Sequence, residues 1–366
     1  MRTLGICVVA ALFVLPACKK KDDNNKPKKR VVTKKTPEPK KTVKKHPPKP
    51  DPKALARGKY LVGLASCAGC HTPFKDGMPD MAHAFSGGFK FTEVFGTWQS
   101  PNITQDKKTG IGDWSDTDII TAIRTGKRKD GTMMYPIMPY PMYNALTDED
   151  AKAIVAFLRT IKPVEHQVAG NSDLKLPKPP KPLPLPTKKP DMNDPVQKGQ
   201  YLAHVMHCPM CHTPMNEKGP VMTKAYAGGT KFQVPKDFEK VLGSGVLYAA
   251  NITPDKATGI GKWSEADITT AITKLVKKDG KPIMGAMQMY RMAWSQMPPD
   301  DAMAIAKFLK TLKPIKNNVP ANKFTPPKMP IGMTPGGKTH KHGSGQGGGQ
   351  GGGHSKGKGG HKGDKK

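Results

Sequence analysis

The segment Cys67-Ala68-Gly69-Cys70-His71 returns later as Cys208-Pro209-Met210-Cys211-His212. Two thiols at this spacing can each add across one vinyl group of a haem, and the histidine that follows is then held beneath the iron. Cys-x-x-Cys-His is the attachment signature of c-type haem. A single copy also fits a redox dithiol or half of a zinc site. Two copies in matching surroundings point to covalent attachment of two haem c groups, with Cys67, Cys70, Cys208 and Cys211 as thioether positions and His71 and His212 as proximal ligands. The other two cysteines, Cys7 and Cys18, belong to the N-terminal segment, so none is left for a structural disulfide.

Helices with readable ends should position these motifs. Asp51-Pro52 opens the first, with Asp as N-cap and Pro at the first helical position. Leu55, Leu61, Val62 and Leu64 lead from there towards the first motif. Ser115 with Asp118 opens a second helix, whose buried face is Ile119, Ile120 and Ile123. Thr147-Asp148-Glu149-Asp150 opens the last, with Ile154, Phe157, Leu158 and Ile161 on its apolar face. Long loop-rich stretches, His71 to Thr109 and Gly126 to Tyr143, lie between them.

The whole pattern then recurs. Asp194-Pro195 repeats Asp51-Pro52, and Asn251-Ile252-Thr253 repeats Asn102-Ile103-Thr104. Thr258-Gly259-Ile260-Gly261-Lys262-Trp263-Ser264 repeats Thr109-Gly110-Ile111-Gly112-Asp113-Trp114-Ser115. This is an internal duplication. It gives an all-α chain with folded units at 51–166 and 194–315 and a Pro-rich linker at 167–193. Gly58 with Tyr60, and Gly199 with Tyr201, are expected where the first helix of each unit crosses the last, against Phe157 or Phe308. Trp114 and Trp263 fit core packing and a cofactor-pocket wall equally well.

The remaining chain is basic and poor in apolar residues. Of the net charge of +31, residues 19–53 carry +11 and residues 331–366 carry +6. Such stretches cannot bury enough surface to fold, so 19–50 reads as a disordered tether and 316–366 as a disordered Gly/Lys/His-rich tail. His340, His342, His354 and His361 in that tail fit either metal binding or a solvated low-complexity segment. Met1 to Cys18 has one basic residue and then an apolar run too short to span a bilayer, as in an export signal. It ends in Leu15-Pro16-Ala17-Cys18, which resembles a lipobox. The expected product is a lipoprotein acylated on Cys18, facing the periplasm, with Lys19 after the anchor favouring the outer membrane. Nucleic-acid binding is excluded by the compartment and by the absence of stacking aromatics in the tether.

Taken together, the helix, the Cys-x-x-Cys-His, the Asn-Ile-Thr, the Thr-Gly-Ile-Gly-x-Trp-Ser, the Met-Pro-Tyr and the Phe-Leu helix resemble the class I cytochrome c domains of bacterial alcohol, gluconate and sorbitol dehydrogenase subunits. The resemblance covers both folded units and implies two tandem class I cytochrome c domains. Those subunits usually carry three haem motifs, whereas this chain has two, so it bears on fold and electron transfer more than on a particular dehydrogenase. It also implies a methionine as sixth iron ligand, the arrangement that raises the reduction potential. The Met-Pro-Tyr motif falls on Met138, with Met133, Met134 and Met142 nearby. Counting from Gly131 and Gly280 places Met287 at the equivalent position, with Met284, Met289 and Met292 as competitors. His83, His166, His204 and His207 are the alternative distal ligands, but their positions do not repeat between the units, and they read as surface or packing residues. The expected activity is electron transfer between a periplasmic donor and a respiratory acceptor, with acidic redox proteins as partners. The alternative is a dihaem enzyme, peroxidase-like or thiosulfate-dehydrogenase-like, with an open distal haem face.

Overall fold

The computed structural model describes residues 51–327 apart from 94–95, 136, 170–184, 187, 218, 235 and 237–238. The export signal, Cys18, the tether, most of the linker and the tail histidines lie outside the described residues.

Five helices of the first half recur in order in the second. Helix α1 (Pro52–Leu64) leads into the short helix α2 (Cys67–His71), and α3 (Asp116–Thr125), α4 (Tyr140–Tyr143) and α5 (Asp148–Leu158) follow. Their counterparts are α6 (Pro195–Val205), α7 (Cys208–His212), α9 (Glu265–Thr273), α10 (Arg291–Trp294) and α11 (Pro299–Thr311), with the extra turn α8 (Glu239–Leu242) inserted between α7 and α9. The caps form as the sequence requires. Asp51 accepts from Lys53 N, and Asp194 from Val196 N and Gln197 N. Ser115 with Asp118 and Ser264 with Asp267 make complete capping boxes, each satisfying donors that a helix leaves unpaired at its start.

In each half the first helix packs on the last at a glycine. A Cβ on Gly58 would lie 1.9 Å from the Ala153 carbonyl oxygen, and one on Gly199 would lie 1.9 Å from that of Ala304. Phe157 and Phe308 flank these crossings, as expected.

The Asn-Ile-Thr and Gly-Ile-Gly segments form a buried polar knot. Asn102 Nδ2 donates to Thr109 Oγ1 at 2.9 Å and to the Val164 carbonyl at 2.8 Å, while its Oδ1 accepts from Thr104. Asn251, Thr258, Ile315 and Thr253 repeat this network. The knot ties the loop before α3 to the chain leaving α5, and the loop before α9 to the chain leaving α11. Arg159 and Lys310 reinforce it by donating to the Trp114 and Trp263 carbonyls.

Two features depart from an all-α chain with a disordered end. The long loops contain short antiparallel ladders: β1 (Phe74–Lys75) with β2 (Met78–Pro79), β3 (Lys90–Glu93) with β4 (Gly96–Gln99), and β5 (Met215–Asn216) with β6 (Gly219–Pro220). A loop pressed against a core must pair its peptide groups, and hairpins do this locally. In addition, residues 316–327 are ordered rather than part of a disordered tail. Strand β9 (Lys323–Thr325) adds to β7 (Lys231–Gln233) and β8 (Ser244–Tyr248) in the order β7-β8-β9, and Phe324 packs on the small cluster of Phe89, Val234, Leu242 and Leu247.

Both halves belong to one compact unit and share one hydrophobic core, in which Leu61, Leu64, Ile154 and Leu158 join Leu202, Val205, Ile305 and Leu309. Polar bridges cross the seam reciprocally. Tyr60 Oη donates to Asp301 Oδ2 and Tyr201 Oη to Asp150 Oδ2, each at 2.5 Å. Each carboxylate is also paired within its own half, Asp150 with Arg57 at 2.7 Å and Asp301 with Lys198 at 2.5 Å.

Candidate functional site

Ser66 precedes α2 and His207 precedes α7 as N-cap, both in left-handed backbone with φ of 51° and 46°. This sharp entry turns the chain out of α1 or α6 and into the Cys-x-x-Cys-His segment. All four motif cysteines are free thiols. Burial pushes Cys67 and Cys208 up to about 12, and Cys70 and Cys211 up to about 11, so all four are protonated at neutral pH.

Cys67, Cys70 and His71 line a predominantly apolar cavity of about 260 Å³ whose wall includes Trp114, Met134, Met138, Tyr143 and Leu158. Trp114 is therefore a wall residue as well as a packing residue. His71 is buried, and its Nδ1 lies 2.8 Å from the Pro101 carbonyl oxygen. A backbone carbonyl fixes the tautomer with the proton on Nδ1 and leaves Nε2 as the ring's metal donor. His212 has the same lock, with Nδ1 2.8 Å from the Ala250 carbonyl oxygen. Desolvation lowers both imidazole pKa values, which keeps the rings neutral as a metal ligand must be.

The methionines are sorted by placement. Met138 lines the cavity with His71 and packs on the shared core, and Met134 lines the same cavity. In the second half Met287 is half-buried against the shared core, to which Cys208 also belongs. Met289 turns instead towards the smaller cluster around Leu247, and Met292 is 78% exposed. Among the histidines, His83 is paired with Asp80 at the surface and His166 with the Ser86 carbonyl. His204 lines a separate pocket with Lys188 and Lys189.

The sequence set His207 aside as a surface or packing residue, and the structure gives it a more particular place. It precedes the second motif, yet it lines the cavity of the first and is only 8% exposed. The one available signal was its mismatch with Ser66 at the equivalent position of the other half.

At the first motif two thiols, a neutral imidazole locked through Nδ1 and an apolar wall are the donor set and surroundings that a covalently held haem needs. The second motif repeats the two thiols and the locked imidazole. The buried Tyr226 hydroxyl beside Cys208 has no hydrogen-bond partner among the described residues, so the second motif also offers a polar contact.

Residues 55–162 match the family described as cytochrome c. The chain thus contains a cytochrome c domain, which implies a covalently bound haem c. It is 34% identical over 279 residues to the gluconate 2-dehydrogenase cytochrome c subunit of Pantoea cypripedii, covering 70% of this chain and 59% of the relative. It is 32% identical over 280 residues to the cytochrome c subunit of alcohol dehydrogenase (quinone) from Gluconobacter oxydans, covering 72% and 55%. A dihaem c-type cytochrome of Cereibacter sphaeroides is 29% identical over 289 residues, covering 74% of this chain and 92% of the relative. The chain spans little more than half the length of the two dehydrogenase subunits. Among the described residues, no helix is long and apolar enough to cross a membrane.

Proposed function

We propose that the chain is a dihaem c-type cytochrome made of two tandem class I cytochrome c domains, 51–166 and 194–315, that transfers electrons between an exported redox donor and a respiratory acceptor. The observation that carries this reading is the repeated lock: at both motifs the histidine Nδ1 meets a backbone carbonyl at 2.8 Å, beside a pair of free thiols. When bound, haem c supplies one-electron redox chemistry at iron. The chain's residues set the conditions for it. Cys67, Cys70, Cys208 and Cys211 would tether the group, and His71 and His212 would ligate its iron. Met138 and Met287 are the further protein ligands we assign to it, and the apolar wall of the first cavity would exclude water there and favour the reduced state.

The similarity to dehydrogenase cytochrome subunits supports a dehydrogenase as donor. The basic surface suits acidic redox partners, and salt would weaken their encounter. Cys18 is the proposed lipid anchor, holding the protein to a bacterial membrane on its periplasmic side, with the outer membrane favoured by Lys19.

Carbon monoxide added to the fully reduced, haem-loaded protein tests the ligand assignment. An unchanged visible spectrum at both haems is expected, because carbon monoxide needs a vacant or easily vacated iron position. Rapid stoichiometric binding at one haem would remove a stable methionine from the scheme and put the dihaem enzyme ahead of the carrier.

A further inference from the structure

The loops that carry Met138 and Met287 are held in different ways. In the first half the loop is tied within its own half. The buried Tyr140 ring, two residues after Met138, packs on Gly126, where a Cβ would lie 2.7 Å from Tyr140 Cε1. Asn144 Nδ2 donates to the Arg124 carbonyl at 3.1 Å and so ties the end of α4 to α3. Among the described residues neither tie recurs in the second half. Leu275 stands in the place of Gly126, its carbonyl accepting from Ile283 N as that of Gly126 accepts from Met134 N. Ser295 stands in the place of Asn144, and its hydroxyl meets only the Met292 carbonyl and Gln296.

The second loop is anchored across the seam instead. Met287 lies in the turn Gly285–Tyr290, which runs straight into α10. The buried residue of α10 is Trp294, whose indole N–H donates to the Leu64 carbonyl at 3.2 Å. Leu64 closes α1 three residues before Cys67 and is itself buried. The last carbonyls of a helix have no intrahelical donor, and a buried one needs a partner from elsewhere. Trp294 supplies it from the opposite half. Tyr290 stacks on the Trp294 ring, with centroids 4.6 Å apart and planes at 10°, which carries the anchor back to within three residues of Met287.

We infer that Trp294 is a positioning residue for Met287, so that the methionine assigned to the second haem is held in place from the first half. The inference rests on the reading above that Met287 ligates the iron of that haem. Trp294 acts through the turn that carries Met287, by limiting how far that turn can lift away. Cutting the contact should therefore loosen the methionine at the second haem and leave Met138, tied by Tyr140 and Asn144, as it was. Trp294→Phe keeps an aromatic ring for Tyr290 and removes the N–H donor.

The test uses the full-length, haem-loaded protein in its oxidised form, with haem content counted by pyridine haemochrome. Imidazole competes with methionine for ferric iron, so its affinity at each haem reports how often the methionine leaves. The haem methyl proton resonances separate the two sites, and Met138→Ala and Met287→Ala proteins assign them. Losing one hydrogen bond allows about a fivefold rise in the open population. Imidazole should therefore bind about fivefold more tightly in Trp294→Phe at the haem that Met287→Ala alters, and equally tightly at the other. No change at that haem, the same change at both, or a change confined to the other overturns the positioning role alone. Fewer than two haems in the unmodified protein, or a Met287→Ala protein with both haem spectra unaltered, overturns the ligand reading together with the inference. A second measurement needs no variant at the seam. By linkage, the Trp294 indole N–H should exchange with deuterium faster once imidazole occupies the second haem. Exchange indifferent to that occupancy refutes the anchor.

Discussion

Consider Tyr201→Phe, which removes one oxygen from the seam between the halves. Tyr201 is 3% exposed, and its hydroxyl donates to an Asp150 carboxylate that is 8% exposed. The ring stays, so packing is kept. Asp150 retains two bonds from Arg57, at 2.8 and 2.7 Å, so the carboxylate is not abandoned. The loss is then one hydrogen bond to a charged acceptor, about 2 kcal/mol. The matching Tyr60→Phe should cost less, about 1 kcal/mol, because Tyr60 is only half-buried and solvent can replace part of its bond to Asp301. The two bridges are not independent, since the Arg57 guanidinium lies over the Tyr60 ring at 5.5 Å while holding Asp150. The double variant should therefore depart from the sum of the singles by about 0.5 kcal/mol or more. Urea unfolding followed by far-ultraviolet circular dichroism reads all three quantities. One cooperative transition is expected, with its midpoint lowered in each variant and its slope unchanged. Separate transitions for the two halves, or a Tyr201→Phe midpoint equal to that of the unmodified protein, would refute the shared-core argument.

Other perturbations follow from the same contacts. Gly199→Ala puts a Cβ 1.9 Å from the Ala304 carbonyl oxygen and 2.8 Å from Phe308 Cβ, so α6 and α11 must separate. A cost of about 3 kcal/mol is expected in a urea midpoint measurement, well beyond what alanine's better helix propensity returns. Ser115→Ala and Ser264→Ala each remove a capping box, at about 1 kcal/mol apiece by thermal unfolding. Hydrogen bonds from the Ser115 side chain and then its backbone hold the Asp118 carboxylate below the usual range, and Asp267 is held down likewise by the Ser264 backbone and side chain. The folded pKa being depressed, this stabilisation is present above the ordinary carboxylate value of about 4 and is lost as pH falls through the folded values. An acid titration of helicity should show less loss there in the two serine variants. Tyr226→Phe deletes a buried hydroxyl that has no protein partner, so it should stabilise the haem-free protein. If haem supplies the missing partner, the same change should destabilise the loaded protein by about 1 kcal/mol, and equal melting shifts in both forms would contradict that contact.

The two Cys-x-x-Cys-His strings and the helix caps were legible because each depends on residues close in sequence. A cap needs a side-chain oxygen three positions from its amide, and a thioether pair needs a fixed spacing. The repeat added more, since a second copy of Asn-Ile-Thr and Gly-Ile-Gly marked both as structural even before their hydrogen bonds were visible. Hairpins in the long loops and β9 in the expected tail were not legible, because strands of two to four residues carry too little periodicity and are set by the surface they cover. The largest gap was at the seam. Tyr60 and Asp301 stand 241 positions apart, and Trp294 and the Leu64 carbonyl 230. Sequence determined two similar stretches, each with one Cys-x-x-Cys-His segment. Only the tertiary structure decided which faces they turn to each other, because that packing depends on the shape and charge of residues far apart in sequence. It thereby brought His207 from the second motif to the wall of the first.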